Sequence, residues 1–324
     1  MSSSPDAGGQ ATAPHGVSPN GVSPNSVSPD VEVLEQVPAI GRLIAVAAAR
    51  RGRRAPAAGS EPVLPQRRVL LDDIQVDVAR LADYCHLMNV AMRADLPTSY
   101  LHVLTFPLQV HLMASRDFPF AMAGMVHIAN TMTSHRPVRV EERLTASVHA
   151  GGLAPHAKGL TVDLVGQVTS EEEVVWQGRS TYLVRGAQPD RRERPEPAQL
   201  PQTGPQDAAA MPSIAQWRVG ADLGRRYAAI AGDVNPIHLN PLAAKAFGFP
   251  RAIAHGMWTH ARALGALEGR LGDRHTVSVE FRKPILLPST VAMRLRRDEA
   301  GFAFAVTDRT GERAHMIGTV SEAD

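Results

Sequence analysis

Cysteine is nearly missing from this sequence. Cys85 stands alone, so the chain builds neither a disulfide framework nor a multi-cysteine metal site. A lone thiol fits a reducing, cytoplasmic compartment. Aromatic residues are scarce, at 5% of 324 residues, and so is net charge: 34 basic residues against 32 acidic ones leave a formal +2. That balance gives no reason to expect nucleic acid as a partner. The longest apolar run near the N-terminus, Leu43 to Ala49, falls far short of the roughly 20 residues that cross a bilayer, so no stable membrane insertion is expected. Met1 to Asp30 has no basic stretch ahead of an apolar one and does not read as a secretory signal. No GxGxxG or P-loop pattern follows a strand, which disfavours a nucleotide-binding fold.

What is present has a globular balance, 44% hydrophobic and 20% charged, and at about 150 residues per domain the length suggests two domains. Residues 1–30 are read as a disordered tail, because Gly16 to Asp30 repeat GVSPN, GVSPN, SVSPD, turn formers too small and polar to bury a core. Residues 31–66 form a basic extension. Within it Pro38 to Ala49 read as a short docking helix ending at Arg50, Arg51, Arg53 and Arg54. Residues 187–212 are read as a linker, with prolines at 189, 195, 197, 201, 205 and 212, since proline at that density supplies neither helix nor sheet hydrogen bonds. Two halves remain, 67–186 and 213–324.

The halves look like copies of one unit. Phe118-Pro119-Phe120-Ala121-Met122-Ala123-Gly124-Met125 is matched by Phe249-Pro250-Arg251-Ala252-Ile253-Ala254-His255-Gly256-Met257, with His255 as an insertion. A helical stretch is expected after each block, then Arg136-Pro137-Val138 or Lys283-Pro284-Ile285, then strands. In the second half a strand over Ile214 to Val219 precedes a helix over Ala221 to Ala231, a short helix at Pro241 to Phe247, and a longer one from His255 or Gly256 through Leu267. Four strands follow, beginning with the alternation of Val277, Val279 and Phe281. Helices first and a strand meander afterwards argue for an α+β unit with an antiparallel sheet.

The chemistry concentrates in Tyr227 to Pro241. Gly232 suits the left-handed residue that closes a helix; Asp233 and Asn235 favour turns, and Pro236 keeps Asn235 extended. Asp233 and His238 therefore share one tight loop, a carboxylate and an imidazole placed for proton transfer on a small substrate or water, with the Asn235 amide beside them. A loop capped by Asp and Asn with a surface His is the bland alternative.

The stretch resembles the signature of the MaoC-like, or (R)-specific enoyl-CoA hydratase, family. That signature is an aromatic residue, a small residue and Gly-Asp-x-Asn-Pro-x-His, supplied here by Tyr227, Ala231, Gly232, Asp233, Asn235, Pro236 and His238. Ala231 stands where many members carry Ser, Thr or Gly. Ala254-His255-Gly256-Met257 resembles the start of that family's central helix. The resemblance implies a double hot-dog fold, two antiparallel sheets each wrapped around a central helix and fused in one chain. The motif-free first half would then shape the acyl pocket.

It further implies reversible hydration of trans-2-enoyl thioesters to (3R)-3-hydroxyacyl thioesters in fatty acid metabolism, on an acyl-CoA or acyl-carrier-protein substrate. Asp233 would be the base, His238 would hold the water and relay its proton, and the Gly256 N–H would receive the thioester oxygen. Gly232, Asn235 and His255 would line the substrate site. No cofactor and no metal are expected, because Asp233, Asn235 and His238 on one loop make a poor zinc or calcium site. Arg282 and Lys283 are either solvated charges or contacts for a carrier's phosphates. His111, His127 and His135 read as packing or surface histidines. A homodimer and a monomer are both compatible with two fused units. The alternatives to a hydratase are a hot-dog thioesterase and a non-catalytic acyl-binding subunit.

Overall fold

The structure, a computed structural model, describes residues 30–49, 62–186, 205–298 and 301–322. The expected tail, apart from Asp30, and the linker up to residue 204 lie outside these residues. The described chain folds into one 11-stranded sheet with helices laid across it. The first unit has strands β2 (Arg68–Ile74), β3 (Met125–Ser134), β4 (Leu144–His156), β5 (Gly159–Ser170) and β6 (Glu173–Arg185). Its helices are α2 (Val78–Met88) and α3 (Thr98–Ala114). The second unit has β7 (Ser213–Val219), β8 (His275–Phe281), β9 (Ser289–Asp298), β10 (Gly301–Asp308) and β11 (Ala314–Glu322). It carries α5 (Leu223–Ala231), α6 (Pro236–Leu239), α7 (Pro241–Ala246) and α8 (Gly256–Gly265). Ahead of both lies an arm, β1 (Val31–Leu34) and α1 (Ile40–Ala49).

Strand order reads β1-β2-β4-β5-β6-β3-β8-β11-β10-β9-β7, so the two units run the same series in mirrored order and meet where β3 pairs β8. All pairings are antiparallel except β1 with β2, which is parallel. The two expected sheets are thus one continuous surface. A single buried cluster runs beneath both units, from Leu81, Tyr84 and Tyr100 through Met132 and Trp176 to Trp217, Trp258 and Phe304.

The repeat is real, but its register differs from the expectation. Met125 to Met132 belong to a strand, not a helix, and the central helix of the first unit comes before the Phe118–Met125 block. Backbone bonds give the true equivalence. Leu96 N–H donates to Val138 O at 2.8 Å and Val140 N–H to Ala94 O at 2.9 Å. Ala254 N–H donates to Ile285 O at 2.9 Å and Leu287 N–H to Ala252 O at 2.8 Å. Ala94 to Leu96 therefore match Ala252 to Ala254, so α3 opens at Thr98 where α8 opens at Gly256, and His102 corresponds to His260.

A second difference falls at the linker's end, where α4 (Pro205–Ala210) forms. Ala208 and Met211 are buried against Ala303, Ala305 and Ile317 of the second unit, and Arg294 Nη1 donates to Met211 O at 2.8 Å. Proline at the first position costs a helix nothing, because that N–H has no intrahelical partner.

His102 and His260 are both buried, and His102 Nδ1 and both ring nitrogens of His260 have no hydrogen-bond partner. Burial pushes the His102 imidazole down to about 4 and that of His260 to about 3, the latter with help from His102. In the unfolded chain each returns to the ordinary 6.5. Between those values the unfolded state binds more protons than the folded one, so stability is complete above 6.5 and is lost as pH falls below it. The melting temperature is expected to drop from pH 7 to pH 5, measured by circular dichroism, and replacing His260 by Leu should flatten that slope. A melting temperature that holds steady or rises on acidification would contradict this.

Candidate active site

The segment after α5 is where the units diverge. Helices α2 and α5 both close on a left-handed residue, Asn89 at φ 54° and Gly232 at φ 79°, each five positions after a buried tyrosine, Tyr84 or Tyr227. From there the first unit runs directly from Asn89 to Ala94, whereas the second makes the longer excursion from Gly232 to Ala252 that holds α6 and α7. Two Asn-Pro pairs build that excursion. Asn235 Oδ1 accepts from Ile237 N–H at 3.4 Å with Pro236 opening α6. Asn240 Oδ1 accepts from Leu242 N–H at 2.7 Å with Pro241 opening α7. Capping oxygen before proline is what starts helices this short. His238, expected on a loop, therefore sits on the single turn α6. Asn235, read as a substrate-site residue, caps that turn with its side-chain oxygen.

Gly224 was not singled out from the sequence, yet it seats the turn. A β-carbon there would fall 1.9 Å from the carbonyl oxygen of His238, so only glycine lets α5 approach α6 this closely. No local pattern signals it, because the clash is with a residue on another helix.

The excursion brings Asp233, His238 and His255 together, with ligand-type atoms all within 4.8 Å of one another. His255, read as a pocket residue, lies at the centre. Its ring stacks on His238 with centroids 3.7 Å apart, Tyr227 covers it at 4.7 Å, and its Nε2 bonds the Asp233 carbonyl oxygen at 2.9 Å. The same Nε2 is 3.7 Å from Asp233 Oδ2. Asp233 Oδ1 accepts from Asn235 N–H at 3.3 Å, which turns the carboxylate back over its own loop.

His238 Nδ1 lies 2.8 Å from Ile253 O. A carbonyl only accepts, so Nδ1 carries the proton and Nε2 presents a lone pair. Burial of its ring lowers the His238 pKa against the opposing pull of Asp233, and burial lowers that of His255 well below the usual imidazole range, His238 adding to the effect. Two neutral stacked rings and one carboxylate thus surround a point fit to hold a water by its two protons. The trio has donor types that a small cation accepts. Each ring spends one nitrogen on a backbone carbonyl, which leaves the other as an acceptor for a proton or a ligand.

Above this point α8 begins at Gly256, and its N-cap His255 makes no side-chain capping bond. The first-turn amides and the helix dipole therefore offer an uncapped positive end. Glycine at 256 answers to Phe281, whose ring would sit 3.0 Å from a β-carbon there, and not only to an approaching ligand. A narrow crevice leads away from Asp233. Its walls are Tyr227, Ala231 and Met257 of the second unit and His102, Val103 and Phe106 of the first. Arg282 is exposed and paired with Glu280 at 2.7 Å, and Lys283 is exposed beside it. His111 pairs with Glu32 of the arm at 2.8 Å, and His127 stacks on Tyr182 at 4.7 Å.

Fold and loop together define a double hot-dog protein with one Asp–His loop, in its second unit, and the chain belongs to the MaoC-like dehydratase family. Residues 209–315 match the MaoC like domain model. The chain is 36% identical to 3-hydroxyacyl-thioester dehydratase X of Mycobacterium tuberculosis (strain ATCC 25618 / H37Rv) over 271 residues, covering 82% of this chain and 94% of that protein. The crystal structure of HtdX of Mycobacterium tuberculosis superposes with TM-score 0.68 at 34% identity, over 79% of this chain and 100% of that one. A MaoC-like dehydratase from Phytophthora capsici shares the fold at TM-score 0.66 and 16% identity, over 81% of this chain and 97% of that one.

The His238 tautomer is open to direct measurement. Nitrogen-15 spectra of the labelled chain at pH 8 are expected to show a neutral His238 with protonated Nδ1 and bare Nε2. A proton on Nε2, or a charged ring at that pH, would contradict the geometry.

Proposed function

We propose that this protein is a hydratase and dehydratase of acyl thioesters, interconverting trans-2-enoyl and (3R)-3-hydroxyacyl forms in fatty acid metabolism. The observation that carries the reading is the pairing of Asp233 with a His238 whose Nε2 is left as an acceptor by the Nδ1 bond to Ile253 O. Water held between the carboxylate and Nε2 points its lone pair away from both, toward C3 of the substrate. As the oxygen bonds to C3, Asp233 draws off one of its protons. Neither group starts with a proton to spare, so the one that reaches C2 is the one the water has lost, passed on by the Asp233–His238 pair.

Charge that develops on the thioester oxygen meets the Gly256 N–H at the start of α8. The acyl chain lies in the crevice against Val103 and Phe106 of α3, so the unit without the motif shapes the pocket. The thioester carrier is coenzyme A or acyl-carrier protein. One chain holds both units of the pocket, and the site needs no second copy to be complete. No helix among the described residues is long and apolar enough to cross a membrane, and the lone Cys85 is free and buried. A single buried thiol accords with a cytoplasmic, reducing location. The pair of acceptors aimed at one water, together with a dehydratase relative across most of the chain, favours hydration over thioester hydrolysis or a purely binding role.

Loss of enoyl absorbance with a trans-2-enoyl-CoA series tests the proposal. Asp233→Asn and His238→Ala are each expected to lower kcat/KM by about 10²–10⁴, the range of a positioned acid or base, and chiral analysis should return the (3R) alcohol. Wild-type rates in both variants, an (S) product, or release of free thiol without hydration would each overturn it.

A further inference from the structure

The arm ahead of the first unit takes a path that the catalytic motif does not require. Its strand β1 pairs with β2 from Val31↔Arg68 to Leu34↔Leu71, adding the one parallel strand of the sheet. Glu32 fastens it there. Arg67 Nε donates to Glu32 Oε2 at 2.7 Å while His111 Nε2 of α3 meets Oε1 at 2.8 Å, and the same Arg67 also pairs with Asp117. From this anchor α1 crosses α3, and its first residues reach the second unit at the catalytic loop.

Contact falls on both neighbours of Asp233. Ile40 is 8% exposed, and its Cδ1 lies over Gly232 so closely that a β-carbon there would come within 2.6 Å of it. A β-carbon at Gly41 would lie 4.0 Å from Val234 Cγ2, and Val234 packs with Leu43 and Ile44 on the cluster that buries Ile40. Gly232 is left-handed at φ 79°, a conformation that glycine adopts freely, and its N–H closes α5 on Ala228 O at 2.8 Å. Within the loop itself, Val234 N–H reaches only Gly232 O, at 2.9 Å. Packing from α1 is thus a second tertiary restraint, beside the His255 Nε2 bond to Asp233 O, on the backbone that carries the Asp233 carboxylate.

We propose that Ile40 is a positioning residue for catalysis: the arm of the first unit clamps Gly232 to Val234 and so sets the Asp233 carboxylate against His238 Nε2. This rests on the reading of Asp233 as the water's acceptor. An arm that served stability alone would gain as much by packing anywhere along α3. Here its buried isoleucine is spent on the residue before the carboxylate. Misplacement of about 1 Å at a reacting group costs up to about 100-fold in rate, so a loosened clamp should show in turnover more than in substrate binding.

The full-length chain with Ile40→Ala, Ile40→Leu and Ile40→Val is the test, read by amide hydrogen exchange over residues 230–238 and by kcat and KM for enoyl-CoA hydration. Ile40→Ala is expected to speed exchange at Val234 and Asn235 by roughly 10-fold and to lower kcat by roughly 10-fold, with KM moving less than about twofold. Ile40→Leu, which conserves volume, should restore both. Should Ile40→Ala fail to fold, Ile40→Val carries the same comparison at smaller amplitude. Unchanged loop exchange, or an undiminished kcat alongside a lowered melting temperature, would overturn the proposal and leave the arm a purely structural element. Exchange needs no substrate, so an inactive wild-type chain would sink the functional reading while the exchange result still decides whether the arm restrains the loop.

Discussion

Six register pairs join β3 to β8, from Ala129↔Glu280 to Ser134↔His275, and the site exists because of that seam. Thr131 and Thr133 add side-chain hydrogen bonds to Ser278 and Thr276 across it, each at 3.0 Å. Pairing edge to edge sets α3 beside α8 over one continuous core, so that Val103 and Phe106 of the first unit reach the crevice that opens at Asp233 of the second. Further ties hold the alignment. Arg80 Nε of α2 donates to Ile230 O at 2.7 Å, at the carbonyl end of α5, where a cation is favoured by the helix dipole. Thr98 Oγ1 at the start of α3 meets His275 Nε2 at 2.9 Å. The two units are halves of one site more than two domains.

Within that frame the electrostatics are set by backbone carbonyls. Ile253 O fixes the His238 tautomer, and Asp233 O holds His255 beneath it. Burial lowers the pKa of both rings, which keeps a lone pair on the nitrogen of each that faces no carbonyl. The same logic carries a cost elsewhere. His102 and His260, at matching places in the two central helices, are buried with ring nitrogens unpartnered, which makes the interior acid-sensitive. The two units share one plan of strands and central helix, with α6 and α7 as the difference.

Much of this was legible in the residues. Gly232, Asp233, Asn235, Pro236 and His238 announce their turn through conformational rules, and the period-two alternation of Val277, Val279 and Phe281 gives β8 directly. What was hidden is physical in origin. Helix α3 is buried almost all round, with no charged residue between Thr98 and Ala114, so it lacks the polar face that makes a helix visible in sequence. Met125, Ile128, Ala129 and Met132 fall at helical spacing by chance, and pairing to β6 and β8 on both sides overrides it. Gly224 and Ile40 act across distances that no local pattern encodes, and the centrality of His255 appears only when Ala254 is bonded to Ile285 and the helix start is swung over the loop.

A crystal structure of the His238→Ala chain with a bound (3R)-3-hydroxyacyl thioester tests most directly whether one loop of the second unit does the chemistry while a helix of the first receives the chain. The C3 hydroxyl is expected at Asp233, the thioester oxygen at the Gly256 N–H, and the acyl chain along Val103 and Phe106. A thioester seated on the first unit's own helix start at Thr98, or a C3 hydroxyl turned away from Asp233, would contradict that division of roles.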